Sequence, residues 1–235
     1  GTLTKTEDSP SNVFATWNTL NQTIAGTNNY SAGNTNLLDP SVANSFHGSS
    51  TLGMSSGKYY AEFKMTLGNA NLVGITSAAT LDAYNNQEVG KSQYCYGLIG
   101  TSGLLKSFNI SNTYAASHTV NDIIGIAVDI DNLKIYFSKN GDWATGSGAW
   151  GSSTWASGTG AFTIAAPSLT LDKAYFFAIG DGDAGSKGEY AANFGNGYFI
   201  TTAVTSAGTN ASGNGIFEYD VPTGFTALST KGLNL

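Results

Sequence analysis

Arginine is absent from the 235-residue chain, whose ten basic residues are all lysines. With it goes the planar two-pronged donor that phosphate and carboxylate recognition usually prefers. Charged residues make up only 11%, the net charge is −6, and the lysines form no run. Duplex or single-stranded nucleic acid and anionic membrane surfaces are therefore disfavoured as partners. Cys95 is the only cysteine, so no intrachain disulfide can form and the redox compartment cannot be read from the count. No stretch approaches a transmembrane helix in length, and the N-terminus has neither the basic nor the apolar region of a signal peptide. Because the first residue is Gly rather than Met, the sequence reads as a segment cut or processed from a longer protein.

Glycine fills 30 positions, and Ser, Thr and Asn occupy much of the space between apolar runs. This polar but weakly charged surface suits extracellular and virion β-proteins. Helical periodicity is absent at useful length. In residues 121–143, NDIIGIAVDIDNLKIYFSKNGDW, two β-branched and aromatic runs flank Asp129, Asp131 and Asn132, which predicts a hairpin. Asn140-Gly141 supplies two consecutive positions suited to positive φ, predicting a tight turn, with a further strand expected only after the intervening loop. Over 58–67, Tyr59, Ala61, Phe63, Met65 and Leu67 alternate with Lys58, Tyr60, Glu62, Lys64 and Thr66, predicting one face to the core and one to water. Further strands are expected at 46–52, 72–77, 94–100, 162–165, 173–180, 191–194 and 199–204. Residues 13–20 are expected to be the first ordered segment. Residues 78–92, 142–160 and 206–215 read as irregular surface connections. The fold class is all-β, an antiparallel two-sheet bent sandwich within one core.

IGIAVDID followed by IYFSKNGDW resembles the central signature of the SPRY domain family. GKYYAEFKM (57–65), LVGIT (72–76), YGLIG (96–100), YFFAIGDGD (175–183) and AANFG (191–195) follow in the order the family implies. The opening EDSPSNVFATWN (7–18) and the ending FEYDVPTGFTALSTKGL (217–233) are similar to SPRY-like domains of bacteriophage structural proteins, notably marine ones. The resemblance implies one concanavalin-like jelly roll over 1–235. Its N-terminal arm and first strands span 1–56, with Phe14 and Trp17 implied as the apolar anchors that hold the arm against the sandwich, its SPRY core 57–228, and its C-terminal tail 229–235. It also implies partner binding by loops at one end of the sandwich, with the sheets as scaffold.

Chemistry is sparse. The two histidines, His47 and His118, lie in no nucleophile setting, and no GxSxG elbow is present. Cys95, in QYCYGLIG, reads as a buried inert thiol because no basic neighbour is adjacent. Glu62 is expected on an exposed sheet face, and no carboxyl pair suggests a glycosidase. Asp181 and Asp183, in GDGDAGSKGE, form a weak candidate for Ca²⁺, weighed against a solvated hairpin tip; otherwise no cofactor is implied. Trp150, Trp155 and Trp143 fall in a Gly/Ser/Thr-rich stretch and offer flat faces for a sugar or a protein partner. Packing is the better role for Trp143. Tyr84, Asn85 and Asn86 form a smaller candidate cluster.

The expected function is a non-catalytic recognition module of a phage particle, located on the virion or outside the cell. It would sit in a tail fibre or on the head surface, binding a host glycan or another virion protein, with a trimer as a fair oligomer. Alternatives are a secreted carbohydrate-binding module, a SPRY adaptor that binds a short peptide and, least favoured, a lectin-like glycosidase. Replacing Trp150 and Trp155 together is expected to abolish binding while leaving stability nearly unchanged.

Overall fold

A computed structural model describes residues 8–20, 29–38, 46–68, 71–77, 88–167, 173–181, 187–205 and 207–234. Within these the chain forms β1 (Asn29–Ser31), β2 (Asn36–Leu38), β3 (Phe46–Ser49), β4 (Lys58–Leu67), β5 (Asn71–Ser77) and β6 (Cys95–Ile99). Next come β7 (Leu105–Ser107), β8 (Ile110–Asn112), β9 (Ile123–Asp129), β10 (Lys134–Lys139), β11 (Asp142–Ala144) and β12 (Trp150–Ser152). The remainder are β13 (Phe162–Thr163), β14 (Tyr175–Asp181), β15 (Glu189–Asn193), β16 (Tyr198–Phe199), β17 (Thr202–Ala203) and β18 (Thr226–Ala227).

Two sheets result. One runs β1-β2-β15-β4-β9-β10-β11-β12, with β13 also on β10 and β18 on β4; the other runs β3-β14-β5-β6-β7-β8. Pairing within both is antiparallel except for the short β18–β4 contact. Aromatic rings lock the sheets together: Phe63 lies 5.6 Å from Phe177 of the opposite sheet, 5.7 Å from Trp17 and 5.7 Å from Phe194. Phe14 and Trp17 are buried as expected of anchors. Their segment is paired with the C-terminal one, Ala15 donating to the Leu228 carbonyl at 2.9 Å and Thr230 to that of Val13 at 2.9 Å.

The β9–β10 hairpin follows its sequence signals. Asp129 accepts from the Asn132 backbone and side chain at 3.0 and 2.9 Å and pairs with Lys58 at 2.9 Å, so the acidic residue closes the turn. After β10, Asn140 and Gly141 adopt φ of 50° and 89°, the two left-handed positions of a primed turn. Asn140 Oδ1 also accepts the Ile123 N–H at 2.8 Å, tying this turn to β9.

Two expectations change. Residues 142–160 are not wholly irregular, since β11 and β12 pair with each other and extend the large sheet, with a register shift at Trp143/Ala144. Short strands separated by Gly and Ser lack the period that reveals longer ones. Nor does the middle of β4's second face meet water, because Tyr60 and Glu62 are buried. The segment 216–219 lies across them, with Phe217 5.0 Å from the Tyr60 ring. Lys58, Lys64 and Thr66 stay partly exposed, and Leu67, expected in the core, is exposed at the strand's end.

Candidate functional site

Strand register sets one row of residues across this second face: Asn193 opposite Glu62, Glu62 opposite Gly125, Gly125 opposite Ser138, and Ser138 opposite Trp143. Directly paired residues share a face, so the row is a polar strip ending in an indole. Gly125 leaves room for its neighbours, since a Cβ there would fall 2.4 Å from Ser138 Oγ and 2.6 Å from the Tyr60 hydroxyl.

Glu62 ties the strip to the segment above it. Its carboxylate accepts from the backbone N–H groups of Glu218 and Tyr219, both at 2.9 Å, and from Tyr60 and Asn193 at 3.2 Å each. Burial pushes Glu62 up to about 7, against the pull of these four donors. The expected place of Glu62 on an exposed face is therefore wrong, because the returning chain covers it.

Beside this anchor lies a groove. One wall is the β10–β11 turn with Asn140, Gly141, Trp143 and Ser153, the other is Gly208, Glu218, Tyr219 and Asp220, and the hollow holds about 320 Å³. It continues past Trp143 and Asp220 into a second hollow of about 210 Å³ bounded by Thr154, Trp155, Thr209 and Pro222. The far wall is a ribbon in which Gly208 donates to the Phe217 carbonyl and Val221 to that of Thr209, both at 2.9 Å. Glycine is required at 208, where a Cβ would lie 2.1 Å from the Tyr219 carbonyl.

The tryptophans separate by role. Trp143 is 7% exposed and packs 6.3 Å from the Tyr60 ring, so its body is core and its remaining surface lines the groove. Trp155 is half-buried, wedged edge-on between Tyr136 at 5.8 Å and Phe225 at 5.6 Å. Trp150 lies elsewhere: Lys139 sits 5.6 Å from its ring and its indole N–H donates to the Ser117 carbonyl. The structure thus brings Trp143 and Trp155 together and leaves Trp150 apart. Their packing contradicts the expectation that losing Trp150 and Trp155 would leave stability nearly unchanged.

Tyr84, Asn85, Asn86 and Asp183 lie outside the described residues. Asp181 is no solvated tip; it is fully buried as the last residue of β14, paired with Phe46 on one side and Asn71 on the other. No group of three or more His, Cys, Asp or Glu side chains suited to a metal is assembled among the described residues. Cys95 is buried and its thiol is pushed up to about 11 by that burial. His118 is buried against the Tyr190 hydroxyl at 3.1 Å, and burial holds it down at about 4.

Sequence reasoning missed the far wall. The signal was present in the alternation Phe217-Glu218-Tyr219-Asp220, in which Phe217 is buried and Asp220 exposed. What the pattern lacked was any indication of which face of which sheet the segment would cross.

Residues 58–151 match the family model of the SPRY domain, spanning β4 into β12. Among solved structures the chain is similar to the SPRY domain of human HERC1, at 17% identity and a TM-score of 0.50. That alignment covers 67% of this chain and 86% of that one. The likeness bears on fold and agrees with the two-sheet sandwich. Asn140 and Trp143 of the groove fall within the matched span, whereas the opposite wall, 207–223, lies beyond it.

Proposed function

We propose that the chain is a non-catalytic recognition module that seats a protein partner in the groove between the β10–β12 region and the segment 207–223. The observation that carries this reading is the groove itself: two continuous hollows with aromatic and polar walls, built on a rigid sheet. SPRY domains as a class are protein-interaction modules, and the walls here are loops and strand ends, where recognition on such scaffolds concentrates. A photoreactive benzoylphenylalanine at Ser153 should crosslink the partner, while the same group at Ser212, beside a separate hollow of about 390 Å³, should not. Adducts from Ser212 alone, or from neither position, would overturn the assignment.

A glycan is the second reading, favoured by the Trp155 indole beside the hydrogen-bonding groups of Ser153, Thr154, Thr209 and Asp220. Saturable binding of a neutral polysaccharide, lost on Trp155→Phe with the fold intact, would support it. A virion setting rests on the resemblance of 7–18 and 217–233 to phage proteins. Those two segments meet, with Phe14 bridged to Ser229 and the Ala15 N–H bonded to the Leu228 carbonyl at 2.9 Å. A symmetric virion surface favours a trimer, which light scattering on the isolated chain would detect.

A further inference from the structure

We propose that the groove takes a cationic protein segment, with a lysine or arginine side chain held between the aromatic surfaces of Trp155 and Tyr219 and the carboxylates of Glu218 and Asp220. This rests on the reading of the groove as the partner site and names the partner's chemistry.

Charge complementarity is the first argument. Among the described residues no lysine lines either hollow, although Glu218 and Asp220 do. Glu218 is braced by Thr205, whose backbone and hydroxyl donate at 2.7 and 2.6 Å. Thr209 gives Asp220 two bonds at 2.6 and 2.9 Å, both to Oδ1. These bonds fix the carboxylates without neutralising them. Burial and then the charges of Glu218, Glu62, Asp122 and Asp142 raise the Tyr219 phenol, which marks the surroundings as negative. The nearby Lys139 lies outside the lining of both hollows, over Trp150 and donating to the Ser117 carbonyl at 3.3 Å. Lys58, near Trp155's neighbour Phe225, is paired with Asp129.

A second observation comes from the walls, where Trp143 and Tyr219 line the first hollow and Trp143 and Trp155 the second. Flat aromatic surfaces add cation–π attraction, strongest for tryptophan. Anionic segments would face repulsion from Glu218 and Asp220, and neutral ones would gain neither the ion pair nor the cation–π contact.

Calorimetric titration of the whole chain with three peptides of equal length, alternating Ala-Lys, Ala-Glu and Ala-Ser, tests this. The Ala-Lys peptide alone should bind, with affinity that falls as salt is raised. Glu218→Gln with Asp220→Asn should weaken it by about tenfold or more. Asp8→Asn with Asp131→Asn, which removes as much charge far from the groove, should leave it unchanged. Ala-Lys binding insensitive to the first pair, or equally sensitive to the second, would overturn the proposal. Binding of Ala-Glu or Ala-Ser that is blocked by Ser153→Trp would overturn the cationic preference and leave the groove as the partner site. No binding of any peptide would also overturn it, and the crosslink from Ser153 reports separately on the groove.

Discussion

Glu62 joins β4 to a segment more than 150 residues later, and its protonation carries a measurable consequence. Its value of about 7, against an ordinary 4.5, means that the folded chain prefers the neutral carboxyl. The resulting stabilisation is fully present below about pH 4.5 and is lost as pH rises through about 7, on the order of 3 kcal/mol at most. In the neutral form the Tyr60 hydroxyl can reverse, accepting from Glu62 and donating to Ser138. Thermal melts between about pH 5 and pH 8 should show a falling transition temperature, and Glu62→Gln should flatten that slope. A slope unchanged in the variant would place the titration elsewhere. Trp155→Ala should cost on the order of 2 kcal/mol, less than a fully buried tryptophan because the ring is only half-covered. Denaturant titration reads this directly. Residue roles were legible where chemistry is local, as for the buried thiol of Cys95, and where the resemblance implied them, as for the anchors Phe14 and Trp17. Glu62 was not, because alternation along β4 describes one strand and says nothing of a segment more than 150 residues later that covers its second face.

Among the elements, the β10–β11 turn carries most weight, since it ends the central hairpin and forms one wall of the groove. Asn140 holds a left-handed φ, accepts the Ile123 N–H, and donates to Asp122 at 2.7 Å. Asn140→Ala should destabilise by about 1–2 kcal/mol through the lost bonds and the strained backbone. Gly141→Ala adds a Cβ 2.9 Å from the Tyr219 ring at φ of 89°, so it should both destabilise and displace Tyr219. Tyr219 fluorescence or ring chemical shifts would show the displacement; unchanged rings would separate the turn from the groove. The hairpin and this turn were readable because Asn-Gly and Asp-Asn chemistry fixes a turn within a few residues. The strands β11 and β12 were not, since three residues each between Gly and Ser carry no period.

At the scale of the molecule, the sandwich has one large sheet whose second face is roofed by the chain's own return. Tyr60 and Glu62 are buried only while residues 216–219 remain in place. Truncation after Thr205 should therefore abolish cooperative unfolding, seen as loss of near-ultraviolet dichroism; a sharp transition in the shortened chain would refute the roofing role. The two-sheet class was legible from patterning and the SPRY resemblance, while the groove was not, because it forms between β10–β12 and a segment about 65 residues further on. The most direct test of the groove as recognition surface is hydrogen–deuterium exchange of the chain, free and bound to the partner recovered by crosslinking from Ser153. Protection should fall on 140–143, 153–155, 207–209 and 218–223. Protection confined to 57–59 and 224–232, around the separate hollow, would contradict it.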